Sequence, residues 1–267
     1  MYLGDQPLFP RDDSAWEESW EPSKPELNAT LWRYLSFAKF CSLVEREEIF
    51  FALVSDMVDM YEGFVSHPLP KPGDRIRLHE AERFGREMLH KITRSALISC
   101  WTEADHESSL MWTSYAGEEG VAIRTSFHDL QESLRVIDAG LPVTYGKVKY
   151  VDYRQQEVPR FGWAPLFHKR WEYRAEDEVR AVLPGPPLEI RPDPDRHERS
   201  FVDIPLDSDV VEQRGRYIPV NLDILVKEII VSPHAAPWFV QLVQSVVDRY
   251  PVNASVTPST LRSSPDD

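Results

Sequence analysis

The stretch RAEDEVRAVL, residues 174–183, decides how the rest of the chain is read. Strand side chains alternate between faces, so a strand here sets Asp177, Val179, Ala181 and Leu183 on one side. Glu176, Glu178, Arg180 and Val182 fall on the other. Two carboxylates then share a face roughly 7 Å apart. Such a pair is either a catalytic device or the solvated charge ladder of an ordinary strand. In the second case Glu176, Glu178 and Arg180 contribute a few tenths to about 1 kcal/mol with cross-strand partners. The choice depends on what the remainder of the chain brings beside Glu178.

Composition narrows the classes. The chain has 267 residues, 42% hydrophobic and 28% charged, which is globular composition with enough apolar mass for a core. A formal net charge of −14 disfavours general nucleic-acid binding, which works through a basic surface. Two cysteines, Cys41 and Cys100, make neither a disulfide framework nor a zinc spacing, and no metal site is expected. The opening stretch MYLGDQPLFPRDD lacks a basic region followed by an apolar run, so no signal peptide is expected. No apolar run approaches the length of a membrane span. A cytoplasmic setting follows as the default expectation.

Residues 1–27, rich in Pro, Glu, Asp and Trp, read as an extended or disordered arm. Residues 28–255 read as a single α+β domain with a mixed or largely antiparallel sheet and flanking helices, and 256–267 as a frayed tail. Within the domain, strands are expected at 30–36, 48–55, 95–102, 120–126 and 145–153, and in the RYIPVN and LVKEIIVS segments. Helical spacing of Phe37, Phe40, Cys41 and Val44 predicts a helix with Ser36 as its cap. A second amphipathic helix is expected over 79–94. SSLMWTSYAG (108–117) reads as a short helix between Ser108 and Gly117. The last helix starts near Pro237, with Phe239, Leu242, Val243, Val246 and Val247 inward. The Pro-rich segment 184–199 reads as a long surface loop.

Several phrases occur together in order: LWRYLSFAKFCSLVEREEIFFA (31–52), SDMVDMYEGF (55–64), ISCWTEADHESSLMWTSYAGEEGVAIR (98–124), HKRWEYRAEDEVRAVL (168–183) and VSPHAAPWF (231–239). This set resembles the bacterial family catalogued as domain of unknown function 2971, over about residues 30–260. Arg33 in LWRY, Ser99 in ISCWT and the Glu176-x-Glu178 pair also resemble the layout of the arginine–serine–glutamate class of ADP-ribosyltransferases. That resemblance implies an ADP-ribosyltransferase-like fold and NAD as a substrate, with no bound cofactor, in a toxin or defence effector. It gives Arg33 the phosphate of NAD, Ser99 the orienting of a glutamate, Glu178 catalysis and Glu176 the acceptor. The chain departs from the class in two ways. Ser99-Cys100-Trp101-Thr102 stands where Ser-Thr-Ser is expected, and the interval from Ser99 to Glu178 requires an inserted subdomain. The chemistry is coherent, since a guanidinium fork suits phosphate oxygens and a carboxylate stabilises a cationic sugar.

Other residues are candidates on their own account. Asp56, Asp59 and Glu62 form an acidic cluster, a set of hard oxygen ligands or anchors for a nearby arginine. Met111 and Tyr115 share a helix face. Trp112 and Tyr115 either fill a core or wall a pocket on which a flat base stacks. Lys169 and Arg170 in HKRWEYR are candidate anion-binding cations for a nucleotide or another phosphate-bearing ligand, or the charged guard of a strand edge. Trp16 and Trp20 make the N-terminal arm a candidate docking segment for a protein partner.

Overall fold

The computed structural model describes residues 2–3, 6–7, 20–57, 59, 61–63, 89–91, 93–156, 158–159, 163–185, 188–192, 199–203 and 214–262. Trp16 and most of the helix expected over 79–94 lie outside them. In chain order the elements that matter are β1 (Thr30–Ser36), α1 (Phe37–Arg46), β2 (Glu48–Leu53), β3 (Leu97–Glu103), β4 (Gly120–Ser126), α2 (Phe127–Arg135), β5 (Thr144–Lys147), β6 (Lys149–Val151), β7 (His168–Arg170) and β8 (Glu178–Leu183). They are followed by β9 (Leu188–Pro192), β10 (Arg199–Asp203), β11 (Gly215–Pro219), β12 (Glu228–Val231), α3 (Pro237–Val247) and β13 (Ser255–Pro258). The fold is α+β, with a mostly antiparallel main sheet and flanking helices; only β12 and β13 pair in parallel within it.

The centre of the sheet is β3. One edge pairs along its length with β8, from Glu178↔Thr102 to Leu183↔Leu97. The other edge is shared by two strands. β2 pairs at Ala52↔Ile98 and Leu53↔Leu97, and β1 pairs at Leu31↔Glu103 and Trp32↔Thr102. β1 and β2 therefore diverge, and residues 99–101 have no partner strand on that edge. The sheet splits there. β1 continues into β4, β12 and β13, and β2 continues into β11.

The helices cover one face. Phe40 and Val44 of α1, Phe127 and Leu130 of α2, and Phe239 and Val243 of α3 pack with Leu31, Phe51, Trp101, Ile123, Val179 and Ala181 in the main core. Each large apolar side chain buried this way contributes about 1.5–3 kcal/mol. Leu242 of α3 is on the outside, 38% exposed, so that helix buries a narrower stripe than its sequence suggests. The opposite face carries two smaller clusters. Trp32, Tyr34, Met111 and Trp112 form one, and Ile98, Leu166, Phe167 and Val182 the other.

Local structure corrects several expectations. Ser36 precedes α1 in extended backbone but makes no side-chain cap bond, whereas Ser126 and Ser108 cap their helices through Asp129 and Met111 N–H groups. The segment 145–153 is broken into β5 and β6, and the Pro-rich segment forms an antiparallel hairpin of β9 with β10. Within the arm, Trp20 packs on Phe167 and His168, and Ser23 O accepts the Lys147 N–H at 2.7 Å. A Cβ on Gly146 would stand 2.3 Å from Pro22, so the bare glycine is what lets the arm lie on β5. Trp20 is thus committed to the domain rather than offered to a partner.

The tail is anchored by one carboxylate. Glu107 accepts bonds from Thr260 N and Oγ1 at 2.8 Å, from Ser259 Oγ, and from Trp112 Nε1 at 2.9 Å. Burial would raise this carboxyl, but the Ser259 and Thr260 bonds outweigh it and hold its pKa below the usual range. Glu107→Gln places an amide donor against these donors. It is expected to lower stability by about 1–2 kcal/mol, read as a shift of the urea midpoint at constant slope.

Candidate functional site

The split in the sheet opens a cleft of about 440 Å³ whose walls include Arg33, Tyr115, Lys169, Glu176 and Glu178. Arg33 projects into the gap between β1 and β2. Its Nη2 donates to Phe50 O at 2.8 Å, its Nη1 donates to Ser99 Oγ, and its guanidinium lies 5.4 Å from the Trp101 ring centre. Two neutral oxygens thus accept from Arg33, and no carboxylate among the described residues pairs with it. Burial pulls its pKa down to about 10, which still leaves it cationic at neutral pH. An uncompensated buried guanidinium with donors to spare is a built place for an anion.

Glu178 opens β8, whose residues are buried along both faces. The stretch from Trp171 to Glu176 is a 3-10 helix, and Asp177 follows in left-handed backbone at φ 40°. Glu176 and Glu178 are therefore not neighbours on a strand face; the chain turns between them. Nor is either on a wet face. Glu178 is 5% exposed and Arg180 is fully buried.

These charges form one network. Arg180 donates from Nε to Glu178 Oε1 at 2.8 Å, from Nη2 to Glu178 Oε2 at 3.0 Å, and from Nη1 to Leu166 O at 2.6 Å. It also donates from Nη2 to Glu62 Oε1 at 2.9 Å. Its Nη1 lies 2.8 Å from Glu62 Oε2, an ion pair without hydrogen-bond geometry. Lys169 Nζ reaches Glu176 Oε2 at 2.6 Å, Glu178 Oε2 at 3.1 Å and Glu62 Oε1 at 3.4 Å. Tyr115 donates to Glu176 Oε1 at 2.9 Å. Burial alone would raise the Glu178 carboxyl, but Arg180 and then Lys169 hold it well below the usual carboxylate range. Burial and the Glu176 charge push the Tyr115 hydroxyl up, so it stays a donor.

The structure sorts the sequence candidates. Arg33, Tyr115, Lys169, Glu62, Glu176 and Glu178 all line the cleft, which runs through the split: Arg33 enters it from the sheet face of Ser99 and Trp101, Glu178 from the opposite face. Ser99 does not. Its register partner is Ala181, so its side chain lies on the face opposite Glu178, where it accepts from Arg33 and from Trp101 Nε1 at 3.2 Å. On the face of Glu178, β3 instead presents Thr102, its register partner, and Cys100, opposite Arg180. Burial and then the Glu178 charge push its thiol pKa well up. Trp112 is fully buried, edge-on to Tyr34 at 5.0 Å, and walls no part of the cleft; Tyr115, one turn on and 46% exposed, does.

Lys169 and Arg170 are not free cations. Lys169 is enclosed by carboxylates. Arg170 is paired with Asp59 at 3.0 Å and lies 5.1 Å and 5.3 Å from the Tyr61 and Tyr173 ring centres. Asp56, Asp59 and Glu62 serve as anchors for three different arginines, Arg214, Arg170 and Arg180. Arg180 is the residue that sequence reasoning passed over. Its signal was the VRAVL context, a lone cation inside an apolar run.

Among the described residues no helix is long and apolar enough to cross a membrane. The expectation against general nucleic-acid binding rests on net charge, and the cleft adds nothing to it. No protein-family model and no curated protein matches the chain, so the resemblance to domain of unknown function 2971 has no family match behind it. Among solved structures the chain is similar to DarT from Thermus sp. 2.9. The complex with NAD+ matches at 11% identity and a TM-score of 0.39, over 91% of this chain and 100% of that one. The complex with carba-NAD+ matches at 11% and 0.37, over 88% and 96%. The complex with ADP-ribosylated ssDNA matches at 11% and 0.37, over 90% and 97%.

Proposed function

We propose that the cleft binds NAD+ and transfers its ADP-ribose, an ADP-ribosyltransferase-like activity. The observation that carries this reading is the joining of Arg33, Tyr115, Glu176 and Glu178, far apart in sequence, in one cleft. Arg33 takes the diphosphate, being a buried cleft cation with which no carboxylate among the described residues pairs. Tyr115 and the aromatic walls take a flat ring. In the reaction the bond from ribose C1′ to the nicotinamide nitrogen breaks, and its electron pair leaves with a neutral nicotinamide. The positive charge left on the ribosyl group faces Glu178, whose carboxylate stabilises it electrostatically. The acceptor then attacks C1′ and gives its proton to Glu176. Ser99 acts by holding Arg33, not by orienting Glu178.

One observation favours a second reading, a non-catalytic cleft for a phosphate-bearing nucleotide: both oxygens of Glu178 are already bonded, to Arg180 and Lys169. Titration calorimetry with NAD+ and with ADP-ribose, alongside an assay of nicotinamide release, separates the two. Binding with release supports transfer, and binding without release supports the second reading. Failure of both ligands to bind at millimolar concentration overturns both. Arg33→Met is expected to weaken ADP-ribose binding about 10- to 100-fold, the worth of one or two charge-assisted bonds. Unchanged affinity in a folded variant removes Arg33 from the phosphate role.

A further inference from the structure

We propose that Lys169 is a positioning residue for the Glu176–Glu178 pair, tying the two carboxylates together through one ammonium, and not a contact for the ligand's phosphate. The inference rests on the transfer reading above. Nζ bonds Glu176 Oε2 and Glu178 Oε2 and stands 3.4 Å from Glu62 Oε1, with the Tyr173 ring centre 4.8 Å away. An ammonium has three protons, and three carboxylates surround this one. No donor is left for a phosphate. Arg33, which also lines the cleft, is in the opposite condition: it donates to two neutral oxygens, and no carboxylate among the described residues pairs with it.

Every element packed around the pair contributes to its charge. β8 supplies Glu178 and Arg180, the 3-10 turn supplies Glu176 and Tyr173, and the loop after β2 supplies Glu62. β3 supplies Cys100, the capped turn supplies Tyr115, and β6 supplies Tyr150, whose hydroxyl accepts the Glu178 N–H at 2.8 Å. Arg180 is directed to Glu62 and Glu178, so Lys169 is the cation that Glu176 has. Without it, the Tyr115 hydroxyl is the one hydrogen-bond partner left to the Glu176 carboxylate among the described residues. Arg180 still holds Glu178, but with the bridging ammonium gone the two carboxylates repel, which favours uptake of a proton by the pair and loosens its geometry. A loosened Glu176 is no longer held to receive the acceptor's proton, and binding of the dinucleotide is untouched.

The test compares wild type, Lys169→Met and Lys169→Arg in NAD+ affinity, nicotinamide release against pH, and carboxyl ¹³C titration of glutamate-labelled protein. The expected result for Lys169→Met has three parts. Affinity stays within about threefold. Turnover falls by about 10²-fold, with its acid limb moved up by about one pH unit or more. One carboxylate of the pair protonates at correspondingly higher pH. Lys169→Arg restores most of the turnover. Affinity weakened tenfold with turnover retained makes Lys169 a phosphate contact and overturns the proposal. So does a carboxyl titration unchanged in folded Lys169→Met. If the wild type releases no nicotinamide, the transfer reading falls, and the carboxyl titration still decides the role of Lys169. If Lys169→Met does not fold, the same readouts are taken on Lys169→Met with Glu62→Gln, which keeps the net charge of the cluster; an unchanged carboxyl titration there is equally fatal.

Discussion

Arg180→Met is expected to lower the free energy of unfolding by about 3–5 kcal/mol, the largest stability effect of any single change in the charge network. Arg180 is fully buried and its guanidinium serves Glu178, Glu62 and the Leu166 carbonyl at once. Methionine fills a similar volume, so little is lost to a cavity. What is lost is the cation that faces two buried carboxylates, Glu178 and Glu62. Lys169 remains, alone against Glu62, Glu176 and Glu178. Arg180→Lys keeps the charge but not the planar fork, and its cost is expected to be intermediate.

Chemical unfolding as a function of pH measures the same network. Burial acts to raise the Glu178 carboxyl, and Arg180 and Lys169 more than reverse it, so its folded value lies below its unfolded one. Its contribution is therefore fully present above the ordinary glutamate range and is lost as pH falls from about 4 through the depressed folded value. In Arg180→Met that loss moves to higher pH, because the carboxylate no longer has its principal cation. A stability loss under 1 kcal/mol at neutral pH, with an unchanged acid transition, shows that the network does not hold Glu178 as described.

The outline of the fold was legible in local pattern. TLWRYLS, LISCWTE and GVAIRTS are β-branched and aromatic runs, and each is a strand of the central sheet. Helix α2 went unread although its signal was present: Ser126 caps Asp129, and Phe127, Leu130 and Leu134 recur at helical spacing. What could not be read locally was the cleft. The split of β1 from β2 is a property of pairing register along β3, and no single segment encodes it. The burial of Glu178 and Arg180 comes from residues 163–176 and from 54–57 and 61–63, which fold over β8 from elsewhere in sequence. Alternation also failed at Asp177. A residue with φ 40° between Glu176 and Glu178 breaks the two-residue period that made them look like one strand face. Ser99 illustrates the same limit. The residue type matched the resemblance, but the register turned it toward Arg33.

Glu178→Gln is expected to reduce NAD+ turnover by about 10²- to 10³-fold while leaving NAD+ affinity within about threefold. Those are the marks of a charge that acts only as the ribosyl cation develops. The carboxamide has the shape of the carboxylate and keeps an acceptor oxygen for Arg180 Nε. It places an N–H₂ against Arg180 Nη2 and Lys169 Nζ, which both donate to Oε2 in the wild type. Some stability is lost for that reason, so turnover is measured well below the melting temperature of the variant. The choice of Glu178 over Glu176 as the stabilising carboxylate has a physical basis. Glu178 is ionised by two cations on a strand paired to both neighbours, so it holds its position when the charge on the sugar appears. Glu176 lies on a 3-10 turn with Tyr115 and Lys169 as partners, and the transfer reading assigns it the acceptor's proton. Turnover retained in Glu178→Gln, with the cleft still binding NAD+, moves the chemistry away from β8. Turnover lost together with affinity makes Glu178 part of the ligand's ground-state site instead.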